Sequence, residues 1–157
     1  MTTVIACRAA GVMVADSRVS HGDAGFASSK KVARVGNFVV GVAGAYGPAL
    51  AYRRKLMYAI RGKGLRAPPQ MPEMGDESME MIVLGHDGLW IYGEDGTPIE
   101  VEESVYAVGS GASWALASLR TQAALGCDAD VALALRIACE LDSQSALPMV
   151  EVSLGRV

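Results

Sequence analysis

Turn signals cut this chain into short apolar runs, and that restricts its fold more than any other property of the sequence. Ala9-Ala10-Gly11, Gly36-Asn37, His86-Asp87-Gly88 and Glu94-Asp95-Gly96 each separate segments of strand length. Short segments joined by so few residues pair as antiparallel neighbours. The segments so delimited are Thr3–Arg8 with Gly11–Asp16, Lys31–Val35 with Asn37–Ala43, and then Met79–Leu84, Leu89–Tyr92 and Ile99–Val101. Tyr106–Val108 and an alternating Pro148–Leu154 add two more. The polar, glycine-containing stretch Val19–Ser28 reads as a loop carrying Ser20, His21, Gly22 and Asp23.

Helical patterns are few and late. Pro48 suits a first helical turn, and Leu50, Leu56, Met57 and Ile60 give that helix an apolar face ending near Gly62 or Gly64. A second helix is expected from about Ala112 to Leu125, stopped by Gly126, and a third from about Ala129 to Leu141, capped by Asp128. Residues 64–78 hold Pro68, Pro69, Pro72, Gly64 and Gly75, which cannot build a regular element. Strands, a helix, strands, two helices and a strand predict an α+β domain over residues 1–157, its sheets largely antiparallel and its helices on the outer faces.

Composition excludes several classes. A chain that is 51% hydrophobic and 20% charged buries a real core, and a net charge of -3 argues against a nucleic-acid partner. The basic residues Arg53, Arg54, Lys55, Arg61, Lys63 and Arg66 cluster at the end of the first helix, where cations favour the macrodipole. They read as solvated or subunit-contact surface. No apolar run is long enough to span a membrane. No signal-peptide pattern opens the chain, so a cytoplasmic location is expected. Cys7, Cys127 and Cys139 lack metal-ligand spacing, so reduced thiols are expected, with neither a metal nor another cofactor.

The chemistry begins at Thr2-Thr3, directly behind Met1. Loss of Met1 would give Thr2 a free α-amine, which titrates near about pH 8 and can serve as base for the hydroxyl of its own residue. A serine hydrolase would need a separate histidine, and only His21 and His86 exist. Taken alone, Met-Thr-Thr also reads as the plain start of an edge strand, and Asp16-Ser17-Arg18 as a strand-end turn with a surface ion pair.

Six motifs in order resemble the N-terminal-nucleophile (Ntn) hydrolases, in particular proteasome β-type subunits and the HslV peptidase. They are Thr2-Thr3-Val4-Ile5-Ala6, the run from Ala15-Asp16-Ser17-Arg18 to Gly22, Lys30-Lys31-Val32, Gly41-Val42-Ala43-Gly44, Gly109-Ser110-Gly111, and Asp142 with Ser145. The resemblance implies a four-layer αββα sandwich and a threonine-type endopeptidase. Thr2 would be nucleophile and base, Lys31 would disfavour protonation of the amine, and Asp16 would hold Lys31. Gly44 N–H would stabilise the oxyanion. Ser110 would contact the amine, backed by Asp142 and Ser145. Ser20 would bind the substrate backbone as an added strand, and Val19, Ala33, Val42 and Tyr46 would line a mainly apolar pocket of modest size.

The resemblance also implies a peptide or unfolded-protein substrate, self-association into a ring or stacked rings, and an AAA+ unfoldase as a candidate partner. Two departures stand out. Ala45 occupies a position that is usually glycine in the family, and the second helix of the first helical layer would fall in residues 64–78, so it is expected to be missing or reduced. With no segment ahead of Met1 in the sequence, ordinary methionine excision is the expected maturation. A catalytically silent ring or assembly subunit, and an amide hydrolase acting on a small molecule, remain open alternatives.

Overall fold

The first strand, β1 (Thr3–Cys7), is buried along its whole length, so it runs through the interior. Both its faces are apolar because each meets a different core. Val4 and Ala6 point to one, Ile5 and Cys7 to the other, as the two-residue strand period requires. The computed structural model describes residues 2–21, 24–75 and 78–155.

β1 pairs antiparallel with β2 (Val12–Asp16) on one side and β10 (Val105–Gly109) on the other, and β11 (Met149–Ser153) completes a four-stranded sheet in the order β10-β1-β2-β11. A second antiparallel sheet runs β5 (Val32–Val35), β6 (Phe38–Ala43), β7 (Glu80–Leu84), β8 (Leu89–Tyr92) and β9 (Pro98–Glu100). Val4, Met13, Val39, Ile82 and Leu84 fill the space between the sheets. Helix α1 (Tyr46–Ile60) covers the outer face of the second sheet through Ala49, Tyr52, Leu56 and Ile60. Helices α2 (Ala112–Ala124) and α3 (Val131–Leu141) cover the first through Ala115, Leu119, Leu135 and Ala138. Helix, sheet, sheet, helix is the layering, an α+β sandwich as expected.

Two local expectations need correction. The stretch read as a loop contains a two-stranded ribbon, β3 (Arg18–His21) with β4 (Ala24–Ala27), standing apart from both sheets. Its polar, glycine-containing composition hid it. Gly22 and Asp23 lie outside the described residues. The cap of α3 is Asp130, whose carboxylate accepts from Leu133 N–H at 2.9 Å, and not Asp128.

Residues 64–78 form no helix among those described. Met71 N–H donates to Gly96 O at 2.9 Å and Met74 N–H to Glu94 O at 2.8 Å, so the segment lies along the β8–β9 turn. Its Met71 and Met74 side chains enter the core under α1, where a second helix would have placed apolar residues. Tyr52 and Tyr92 hydroxyls donate to the carbonyls of Pro72 and Pro69, both at 2.6 Å. No helix among the described residues is long and apolar enough to cross a membrane.

Candidate active site

Asp16 ends β2 and is fully buried, yet its carboxylate is well supplied with donors. Thr3 N–H donates to Oδ1 at 2.8 Å, and Arg18 N–H and Ala146 N–H donate to Oδ2 at 3.0 and 3.2 Å. Lys31 Nζ lies 3.1 Å from both oxygens and also donates to Arg18 O. Every partner is a donor, which suits an ionised carboxylate. Lys31 is 1% exposed and sits where a 3₁₀ turn (Ser29–Lys31) enters β5. Burial pushes its ammonium below the usual lysine value, and Asp16 only partly restores it.

A second polar cluster meets the same threonine pair from the helical side. Ser110 Oγ and Ser145 Oγ both donate to Asp142 Oδ2, at 2.6 and 2.7 Å, because a carboxylate can only accept. Thr3 Oγ1 lies 2.7 Å from Ser145 Oγ, whose proton is already committed, so the Thr3 hydroxyl is the donor. Ser110 Oγ is left with lone pairs to offer. Burial raises the Asp142 carboxyl, but the Ser110 and Ser145 hydroxyls and Gln144 N–H outweigh it and hold the group below the usual range.

The two clusters converge on the peptide between Thr2 and Thr3. Thr2 O accepts Ser110 N–H at 3.0 Å, while Thr3 N–H is bound to Asp16. Gly109-Ser110-Gly111 owes its glycines to this approach. Gly109 has φ +94°, and a Cβ there would collide with Thr2 O; a Cβ on Gly111 would collide with Thr3 Oγ1. At the end of β6, Gly44 has φ +89°, and a Cβ there would strike Ser78 O, so the backbone demands glycine. The next residue, Ala45, has φ -62° and accommodates its methyl.

No family model and no curated protein matches the sequence. Solved structures match across nearly its whole length. A structure titled Thiobacillus denitrificans BPH in complex with epoxomicin superposes with a TM-score of 0.70 at 20% identity, covering 99% of this chain and 100% of that one. Thiobacillus denitrificans BPH without that ligand in its title gives 0.66 at 22% identity, covering 98% and 99%. Eukaryotic HslV from Trypanosoma brucei gives 0.72 at 24% identity, covering 96% and 98%. The chain has the HslV-like fold.

Within this HslV-like fold Asp16, Lys31, Ser110, Asp142 and Ser145 lie in the two clusters that meet at the Thr2–Thr3 peptide, and Gly44 directly follows β6, which pairs with β7. The residues expected to line a substrate pocket are more scattered. Val42 is 2% exposed and packs in the core beneath α1, so it offers no surface; the alternation of β6 turns it toward the helix. Val19 is also buried. Ala33 lines an open cleft between β5 and α1. The Tyr46 hydroxyl hydrogen-bonds Ser28 Oγ. Ser20 lies on β3, paired with Gly25, and its side chain is outside the described set.

Two residues escaped the sequence reading. Thr3 is 0% exposed and bridges the clusters, with N–H to Asp16 and hydroxyl to Ser145. Its partner stands at the far end of the chain, so no local pattern could reveal the role. Glu80 opens β7 opposite Ala43, and its Oε2 accepts Gly109 N–H at 2.7 Å. It clasps the strand end at Gly44 to the turn carrying Ser110. Nearby, burial and then Asp16 push the Cys139 thiol up to about 11, which leaves it protonated and a poor nucleophile.

Proposed function

We propose that this protein is a threonine-type endopeptidase in which Thr2, freed of Met1, is both nucleophile and base. The observation that carries the reading is the convergence of the Asp16–Lys31 pair and the Ser110–Asp142–Ser145 cluster on the Thr2–Thr3 peptide. Thr2 Oγ attacks the substrate carbonyl and its proton passes to the α-amine, directly or through water. The oxyanion is held by Gly44 N–H, a preorganised donor of a kind typically worth roughly 3 kcal/mol. The ammonium then protonates the leaving amine, and water attacks the resulting ester with the amine again as base.

Lys31 disfavours a second positive charge on the amine, so the free base persists near neutral pH. Ser110 Oγ, its proton given to Asp142, accepts from the amine and fixes its direction. In this reading Thr3 is not the nucleophile, because its hydroxyl is engaged with Ser145 and its nitrogen is a peptide nitrogen.

Substrate is proposed to be an extended peptide or unfolded chain. Assembly into a closed ring is proposed by analogy with the HslV-like neighbours, with an ATP-driven unfoldase as the candidate partner. Cleavage of the Met1–Thr2 bond is required for the free amine. A peptide β-lactone or vinyl sulfone, or the epoxomicin named with the Thiobacillus protein, is expected to add covalently to Thr2 of the processed chain. Adducts mapped only elsewhere, for example on the exposed Cys127, would refute the assignment. Thr2→Ala that cleaves peptides normally would do the same.

A further inference from the structure

Ser28 touches three segments that each carry a residue of the proposed catalytic machinery. Its N–H donates to Ser17 O at 2.7 Å, one position after Asp16. Its Oγ accepts Lys30 N–H at 3.2 Å and so caps the 3₁₀ turn (Ser29–Lys31) that delivers Lys31. The same Oγ shares a hydrogen bond with the Tyr46 hydroxyl, at the start of α1 and two positions after Gly44.

A single 3₁₀ turn has poor internal hydrogen-bond geometry, so the direction of Lys31 depends on what holds the turn from outside. Helix α1 supplies two attachments. Tyr46 reaches the cap, and the half-buried Arg53, further along the helix, donates to Lys30 O. Lys30 is thus held at its N–H by Ser28 and at its carbonyl by Arg53, and Lys31 follows it directly. In the other direction α1 leads back through its cap residue Ala45 to Gly44.

We propose that the Ser28–Tyr46 hydrogen bond fixes the Lys31 turn against the Gly44 strand end, which makes Ser28 and Tyr46 positioning residues for the Thr2 reaction. The proposal rests on the peptidase reading. Tyr46 acts here through its hydroxyl and not as a wall of the substrate pocket. Without the bond Lys31 relaxes away from the Thr2 amine, the amine protonates more readily, and less of it is free base near neutral pH.

The test compares Ser28→Ala, Ser28→Thr, Tyr46→Phe and the double variant of Ser28→Ala with Tyr46→Phe. Rates are expressed per Thr2 titrated by a peptide β-lactone, so that unfolded protein does not count. Ser28→Ala and Tyr46→Phe are each expected to lower kcat about fivefold with KM little changed, the scale of one hydrogen bond. The double variant is expected to fall no further than Ser28→Ala, because both changes remove the same bond. Ser28→Thr keeps the hydroxyl on an extended backbone that suits threonine, and recovers the rate. The acid limb of kcat/KM, which reports the amine of the free enzyme, moves to higher pH in both single variants and returns in Ser28→Thr. A merely structural bond would lower stability and leave that limb in place. Parental kcat and pH profile in Tyr46→Phe, a rise in KM alone, or losses that multiply in the double variant overturn this inference while the peptidase reading stands. A parent protein that neither cleaves peptides nor is labelled at Thr2 overturns the peptidase reading, and this inference with it.

Discussion

Asp16 and Lys31 hold each other in a place from which water is excluded, and that makes each dependent on the other. Asp16→Asn would leave the Lys31 ammonium buried without its counter-charge. Removing one partner of such a pair typically costs about 3–5 kcal/mol, so a loss of that order in urea or thermal unfolding is expected. Lys31→Met is expected to cost less, because Asp16 keeps three backbone N–H donors, yet it should abolish cleavage.

Asp142 gives a pH signature. Its pKa in the folded protein is below the ordinary carboxylate value, so its contribution to stability is present above the unfolded-state pKa and lost as pH falls through the folded one. Acid unfolding of Asp142→Asn should therefore lack part of the steepness seen in the parent. Identical acid limbs would show that the carboxylate is not held as described. These residues were legible in the sequence only as members of spaced motifs. Thr3 was not, because a contact between its hydroxyl and Ser145 is created by the fold and leaves no local pattern.

Elements show why some boundaries could be read and others could not. The β1–β2 and β5–β6 hairpins announce themselves through glycine turns and buried apolar strands. The β3–β4 ribbon stands outside both sheets in a polar, glycine-containing stretch, so composition alone reads it as loop. The loss of the second helix near residues 64–78 was legible from its prolines. The replacement was not, since Met71 and Met74 fill the core from an extended segment held by Gly96 and Glu94 carbonyls. Truncating Met74 to Ala is expected to cost about 2–5 kcal/mol, as for other buried methionines, measured by denaturant unfolding.

Glu80 is the element-scale positioning residue. Glu80→Ala removes the acceptor for Gly109 N–H and should lower kcat more than it raises KM, by slackening the turn that carries Ser110. Recovery of activity in Glu80→Gln would support this, because an amide oxygen can accept the same bond. An unchanged kcat in Glu80→Ala would remove the clasp from the mechanism.

At the scale of the molecule, the αββα layering puts β1 at the centre and brings its first residues out between the sheets. Asp16 comes from β2, Lys31 from the entry to β5, Gly44 from the end of β6, Ser110 from the β10–α2 turn and Asp142 from the end of α3. Elements far apart in sequence thus meet at one end of β1, which is why the site was visible to the sequence only as separated motifs. The central claim is that Thr2, with a free amine, is the nucleophile. Intact-mass and peptide-mapping mass spectrometry of the purified protein, before and after treatment with a peptide β-lactone, tests it most directly. The account predicts a chain that begins at Thr2 and gains one equivalent of probe on that residue, with no adduct in Thr2→Ala. A protein that keeps Met1 quantitatively and still cleaves peptides would contradict it.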